Sequence, residues 1–135
     1  MNKYLNQEDC MPELKLKQLQ YEADTWRRVV GFMMEENIHQ KNRLSEILKD
    51  KFDKNLLEEV ERFQSWFVKE DELISLLRNE MAELDKLLVR EIFEDGAIMN
   101  KVIGKLKYLR NNITAAEKEF SRLKAAFNSY LSENV

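Results

Sequence analysis

The chain has 135 residues and a formal net charge of −3, with 1 proline, 3 glycines and 35% charged residues. A sheet protein of this length needs many more turn residues, so the composition argues against all-β and α/β folds. Apolar residues make up 44% of the chain. That share is enough for one hydrophobic core, and the length suits one domain rather than two.

The N-terminal segment gives no sign of targeting. Residues 1–11 lack the apolar stretch of a secretory signal, and we expect them to form an N-terminal tail. Cys10 is the single cysteine, which excludes a disulfide within the chain and fits a reducing compartment. No run approaches the roughly 20 apolar residues of a membrane span, so we expect no membrane insertion. Together these features predict a cytoplasmic protein.

Apolar residues recur at alternating intervals of three and four along three segments, which is the heptad pattern of packed helices. These heptad positions run from Leu16 to Ile47, from Leu56 to Glu91 and from Val102 to Tyr130, and all but four are apolar. The pattern predicts an all-α fold, an elongated antiparallel up-down-up bundle of three long helices. The bundle is expected to form a single domain over residues 12–135.

Turn residues indicate where the helices end. Pro12 suits the first turn of a helix, because its missing N–H has no partner there. We expect turns at Asp50 to Asn55 and at Asp95-Gly96, with Gly96 in a left-handed conformation. The helices are then expected at about 12–50, 54–95 and 97–133. Gly31 leaves an alternative open, a four-helix bundle in which the first helix breaks near this glycine.

Residues that carry chemistry are few. Glu36 and His39 form a Glu-x-x-His motif, which is half of a di-iron site, and a homodimer would have to supply the other half. With one histidine and one cysteine, a single chain lacks the ligands of a Cys/His zinc site. Any catalytic triad would have to use His39 as its base. We therefore expect no enzyme activity, no cofactor and no metal.

Four heptad positions are polar, namely Asn37, Gln40, Glu70 and Glu91. Antiparallel pairing about the two turns brings Asn37 level with Glu70 and places Lys124 nearby as a charge partner. We expect Asn37, Gln40, Glu70 and Lys124 to form a polar layer that fixes the register of the helices. A small-ligand pocket is the alternative. Glu91 lies near the second turn and is expected to be hydrated.

The third helix begins with a basic patch and no acids before Glu117. The patch consists of Lys101, Lys105, Lys107 and Arg110. Cations near a helix N-terminus oppose the helix dipole, so another interaction must favour them. Pairing with acids on the second helix is one interpretation, and weak binding of a nucleic-acid backbone or another anionic surface is the other. No motif in the sequence is typical of proteins that recognise bases, so specific nucleic-acid binding is not expected.

Apolar residues also lie beside the heptad positions. On the second helix, Trp66, Leu73 and Leu87 are expected to widen the core, because a middle helix has two neighbours. The first helix carries an apolar belt that faces more directions than its neighbours can cover, which is typical of an interaction surface. This predicted interaction patch consists of Val29, Phe32, Met34 and Ile38.

These observations favour a non-enzymatic protein-interaction module, acting as an adaptor, a scaffold or a small homo-oligomeric bundle. The expected partner is another protein or a second copy of the chain. One alternative is a ligand- or metal-binding bundle that uses Glu36, His39 and the polar layer. The other is a weak binder of anionic surfaces through the third helix.

Overall fold

The computed structural model describes residues 12–50, 54–94 and 96–134. They form three long helices: α1 (Pro12–Asp50), α2 (Lys54–Glu94) and α3 (Met99–Asn134). The predicted all-α, three-helix bundle is confirmed, and the observed helix ends differ from the predicted ones by at most two residues. The predicted N-terminal tail, residues 1–11, lies outside the described residues.

Side-chain contacts fix the direction of each helix. Lys41 pairs with Asp71 at 2.5 Å, and Arg27 further up α1 pairs with Asp85, so α1 and α2 are antiparallel. Tyr130 donates a hydrogen bond to the carbonyl of Leu56 at 3.4 Å, and Lys105 pairs with Glu80, so α2 and α3 are also antiparallel. Consequently α1 and α3 run parallel.

Gly31 does not break the first helix. Helix α1 continues through it to Asp50, so the alternative of a four-helix bundle is wrong. A Cβ atom placed on Gly31 would meet nothing within 4 Å. Without a neighbouring element or a proline, nothing displaces the local hydrogen-bond ladder, and the helix tolerates the glycine.

The second turn has the predicted glycine conformation. Gly96 has a φ of 91°, which other residues rarely adopt. The backbone N–H of Met99 donates to the Gly96 carbonyl at 3.3 Å, and the carbonyl of Ile98 accepts the first bonds of α3. This turn reverses the chain within a few residues and sets the register between α2 and α3.

Most predicted heptad positions are buried, and they divide into two hydrophobic clusters. The aliphatic cluster extends from Leu19 to Met33 on α1 and includes Val102 to Phe120 on α3. The aromatic cluster lies toward the first turn and is built around Phe63, Phe67 and Phe127, with ring centroids 5.1 Å apart between Phe127 and each of the other two. At the end of α3 the pattern shifts by one residue: Leu131 is buried, whereas the predicted Tyr130 is half-buried.

None of the described helices contains a stretch long and apolar enough to cross a membrane.

Candidate functional site

A polar layer separates the two hydrophobic clusters, as the sequence predicts. Asn37 is fully buried and its amide nitrogen Nδ2 donates to the backbone carbonyl of Phe67 at 3.0 Å and to Asp71 Oδ1 at 2.6 Å. The second carboxylate oxygen of Asp71 accepts from Lys41. A buried amide that bonds across to a neighbouring helix penalises any other register, because a shift would leave it without these partners.

Gln40 occupies the next heptad position and is also buried. Its Oε1 atom lies 3.4 Å from Nη1 of Arg43, one turn along α1. The same Arg43 nitrogen donates to Asn128 of α3 at 2.9 Å. Gln40 and Arg43 thus extend the polar layer from α1 toward α3.

Two buried acceptors of the layer, Asn37 Oδ1 and Glu70 Oε2, have no hydrogen-bond partner among the described residues. The ionisable one is Glu70. It is 8% exposed, and its Oε2 atom accepts no hydrogen bond from the described residues. Lys124, the predicted charge partner, is half-buried and donates instead to Glu36 of α1 at 3.1 Å. Lys124 therefore lies near the layer but neutralises a different carboxylate.

The environment of Glu70 disfavours its charged form. Burial raises the pKa of the Glu70 carboxyl above its ordinary value, and repulsion by Glu119 of α3 raises it further. The nearest counterion of Glu119 is Arg122, one turn along α3, at 3.2 Å. The two carboxyl groups therefore approach each other without a cation that serves Glu70.

A pocket of about 380 Å³ opens beside Glu70, between α2 and α3. A second pocket of about 280 Å³ follows along the same side of the bundle. Glu119 lines both, so the two pockets adjoin each other, and we call them together the α2–α3 groove. Its lining residues on α2 are Trp66, Lys69, Glu70, Leu73, Leu76, Leu77 and Glu80, and those on α3 are Tyr108, Asn112, Ala115, Ala116, Glu119, Arg122, Leu123 and Ala126.

Large apolar side chains in the α2–α3 groove are exposed. Trp66 is 40% exposed, Leu76 54% and Tyr108 51%. Leu73 and Leu87 pack partly against the aliphatic cluster, as expected for residues that widen the core. Trp66 follows this prediction only in part, because its ring packs edge-on against Phe63, with ring centroids 5.5 Å apart, while 40% of the residue stays exposed.

The predicted interaction patch on α1 is not one surface. Val29 and Met34 are partly buried against the aliphatic cluster, whereas Phe32 and Ile38 are exposed. Phe32 lies one turn from Glu36, on the side of α1 that faces α3. Ile38 lies one turn from Met34, whose sulfur accepts from Arg78 of α2 at 3.5 Å. The two exposed residues therefore stand on opposite flanks of α1.

The basic patch of α3 is also divided, because two of its four cations form ion pairs with other helices and two do not. Lys105 pairs with Glu80 of α2, and Arg110 donates from Nε to Glu22 of α1 at 2.5 Å. This hydrogen bond lowers the pKa of the Glu22 carboxyl. Lys101 and Lys107 are exposed and make no ion pair with the residues that the structure describes. Two of the four residues of the patch therefore form ion pairs between helices.

The Glu-x-x-His motif does not gather further metal ligands. Glu36 is engaged by Lys124, and His39 is exposed. Within residues 12–50, 54–94 and 96–134, no three His, Cys, Asp or Glu residues are placed to hold a metal ion.

Glu91 has a role that the sequence analysis missed. It is 3% exposed rather than hydrated, and its Oε2 atom accepts from the backbone N–H of Ile98 at 3.1 Å. Ile98 precedes α3, so the carboxylate satisfies one of the free donors at the helix start. The sequence feature that could have indicated this role is an acidic residue shortly before the predicted glycine turn.

No protein-family model, no curated protein and no solved structure matches this chain.

Proposed function

We propose that this protein is a non-enzymatic protein-interaction module that associates with a second copy of itself through the α2–α3 groove. The observation that carries the proposal is the exposure of Trp66, Leu76 and Tyr108 along the α2–α3 groove. Exposed apolar residues that line one groove are typical of an interaction surface. The single cysteine supports a reducing, cytoplasmic setting for this association.

The arrangement of the α2–α3 groove suits a symmetric pairing. Trp66 lies at one end, Leu76 and Tyr108 lie at the other, and the small residue Ala115 lies between them. The groove extends over about 21 Å of α2, at about 1.5 Å per residue. If a two-fold axis passes through the centre of the groove, the Trp66 end of one copy lies against the Leu76 and Tyr108 end of the other copy.

Charges along the α2–α3 groove are compatible with this pairing. At one end the lining contains two cations, Lys69 and Arg122, and two acids, Glu70 and Glu119, although neither cation pairs with Glu70. Lys105 neutralises Glu80 at the other end. Two copies of the groove therefore face each other without net charge repulsion, and an apolar contact of this kind contributes about 1–2 kcal/mol for each large side chain that it covers.

Sedimentation velocity between about 5 and 500 μM tests the proposal, because this range covers micromolar dissociation constants. We expect the wild-type chain to form a dimer and the Leu76→Lys variant to remain monomeric. The lysine would lie one turn from both Glu72 and Glu80, so it is compatible with the helix. Phe32→Glu is the matched control, because Phe32 on α1 is exposed to a similar extent.

Two outcomes would overturn the proposal. A wild-type chain that sediments as a monomer over the whole range excludes self-association. A dimer that persists in Leu76→Lys but dissociates in Phe32→Glu places the interface on α1. Circular dichroism of each variant must show the helical spectrum of the wild type, so that loss of association is separated from loss of folding.

A further inference from the structure

The pocket at the Trp66 end of the α2–α3 groove contains a carboxylate that lacks a donor. Glu70 is more than nine-tenths buried and lines this pocket, and its Oε2 atom has no hydrogen-bond partner among the described residues. Buried carboxylate oxygens nearly always accept at least one hydrogen bond. An orphaned acceptor beside an open cavity indicates a donor supplied from outside the chain.

The cations near Glu70 are already engaged or exposed. Lys124 donates to Glu36, and Arg122 pairs with Glu119 on α3. Lys69 directly precedes Glu70 on α2 and is exposed to solvent. The pocket therefore contains a second carboxylate, Glu119, and none of the described side chains compensates Glu70. Two carboxylates at one pocket disfavour an anionic ligand.

Besides Lys69, Glu70, Glu119 and Arg122, the pocket has an apolar wall. Trp66 presents an aromatic side chain, and Leu123 and Ala126 of α3 complete the apolar lining. Aromatic rings attract cations at their faces and also contact alkyl groups. The volume of about 380 Å³ lies at the small end of the range for small-molecule pockets.

We propose that the Glu70 pocket binds an organic cation on an apolar stem, with a guanidinium or primary ammonium group as its head. The head donates to the Glu70 carboxylate, and a hydrogen bond to a charged acceptor is stronger than one between neutral groups. The stem lies against Trp66 and Leu123. This site shares Trp66 with the self-association proposed above, so a second copy and the cation compete for it, and the Leu76→Lys variant separates the two.

Titration with n-butylguanidinium, followed by the indole N–H signal of Trp66 in ¹H–¹⁵N NMR spectra, tests the site. We expect saturable shifts of Trp66, while the signal of Trp26 on α1 stays in place as an internal reference. n-Butylurea is the matched neutral ligand, with nearly the same shape and no charge, and we expect at least about tenfold weaker binding.

Variants assign the binding to Glu70. Glu70→Gln keeps the size of the side chain and removes its charge, and we expect the dissociation constant for n-butylguanidinium to rise about tenfold or more. Glu117→Gln is the control, because Glu117 is an exposed acid on α3 outside the pocket. It should leave the dissociation constant unchanged.

The proposal is overturned if n-butylguanidinium and n-butylurea bind equally, if neither shifts Trp66, or if Glu70→Gln binds as well as the wild type. The same titration in Leu76→Lys separates this result from self-association. Leu76 lies outside the Glu70 pocket, so the pocket stays accessible in that variant even if wild-type copies cover it. Cation binding in a monomeric Leu76→Lys chain supports the site whatever the oligomeric state of the wild type.

Discussion

The carboxylate of Glu91, near the end of α2, accepts a hydrogen bond from the backbone N–H of Ile98, just before α3, at 3.1 Å. Both residues are buried, so water cannot replace the acceptor. We expect Glu91→Ala to lower the free energy of unfolding by about 1–3 kcal/mol, the usual cost of a buried donor without a partner.

Urea denaturation measures this loss. Glu91→Gln keeps a side-chain oxygen that can accept the hydrogen bond, so its free energy of unfolding should fall less than that of Glu91→Ala. Glu83→Ala is the control, because Glu83 is exposed and pairs with Lys86 one turn along the same helix at 3.3 Å. An equal loss in Glu83→Ala and Glu91→Ala would contradict the assigned role of the hydrogen bond.

We expect Glu70 to destabilise the fold at neutral pH, because its side chain is buried and its Oε2 atom has no partner among the described residues. We expect Glu70→Leu to raise the free energy of unfolding at pH 7. A matched substitution at the exposed acid Glu117 should change it by less than about 0.5 kcal/mol. A less stable Glu70→Leu protein would mean that the carboxyl group has a partner in solution.

The raised pKa of Glu70 also predicts a pH dependence. The folded chain holds the proton more tightly than the unfolded chain, whose pKa is near the ordinary 4.5. The carboxyl group therefore lowers the free energy of unfolding least below pH 4.5. The free energy of unfolding falls as the pH rises through the raised pKa of the folded state. Relative to Glu70→Gln, the wild type should lose stability as the pH rises above the ordinary value of 4.5 toward neutral. A constant difference between the two in urea unfolding across this range would refute the prediction.

Gly31 and Gly104 lie inside helices, and a Cβ atom added to either would have no neighbouring atom within 4 Å. We expect Gly31→Ala and Gly104→Ala each to raise the free energy of unfolding by about 0.5–1 kcal/mol, because alanine reduces the backbone entropy of the unfolded chain. Gly96→Ala should lower it, because the φ of 91° strains any residue with a Cβ atom. Thermal unfolding ranks the three variants, and stabilisation by Gly96→Ala would contradict the turn geometry.

Glu22 and Arg110 connect α1 and α3 through a partly exposed hydrogen bond of 2.5 Å. A double-mutant cycle with Glu22→Gln and Arg110→Met should give a coupling of about 0.5–1 kcal/mol at neutral pH. Because the pKa of Glu22 is lowered in the folded chain, this coupling is present above the unfolded pKa and disappears as the pH falls through the folded value. A coupling that survives full protonation of Glu22 would show that packing, not charge, joins the two side chains.

Heptad spacing was sufficient to predict the fold class, because three long segments repeat the same apolar period and two short turns make consecutive helices antiparallel. The polar layer at Asn37, Gln40 and Glu70 was also predictable, since antiparallel register follows from the turn positions. The partner of Lys124 was not, because Glu36 and Glu70 lie at similar heights and only side-chain packing decides between them.

The exposed surfaces were harder to predict. Phe32 and Ile38 are six residues apart, which rotates them by roughly 120° around a helix, so sequence proximity did not make them neighbours. The α2–α3 groove was missed for another reason. Trp66 lies beside a heptad position and resembles a core residue, but whether α3 covers it depends on the sizes of the side chains opposite it, Ala126 among them.

The division of the core by Asn37, Gln40 and Glu70 has a consequence for the motions of the bundle. Apolar contacts do not continue across the polar layer, so opening one end does not require the other end to lose its packing. The aromatic end, next to the first turn, has the smaller cluster and should exchange its amide hydrogens at a lower opening free energy than the aliphatic end. The molecule then behaves as two cooperative units in series, with the boundary between slow and fast exchange at the level of Asn37.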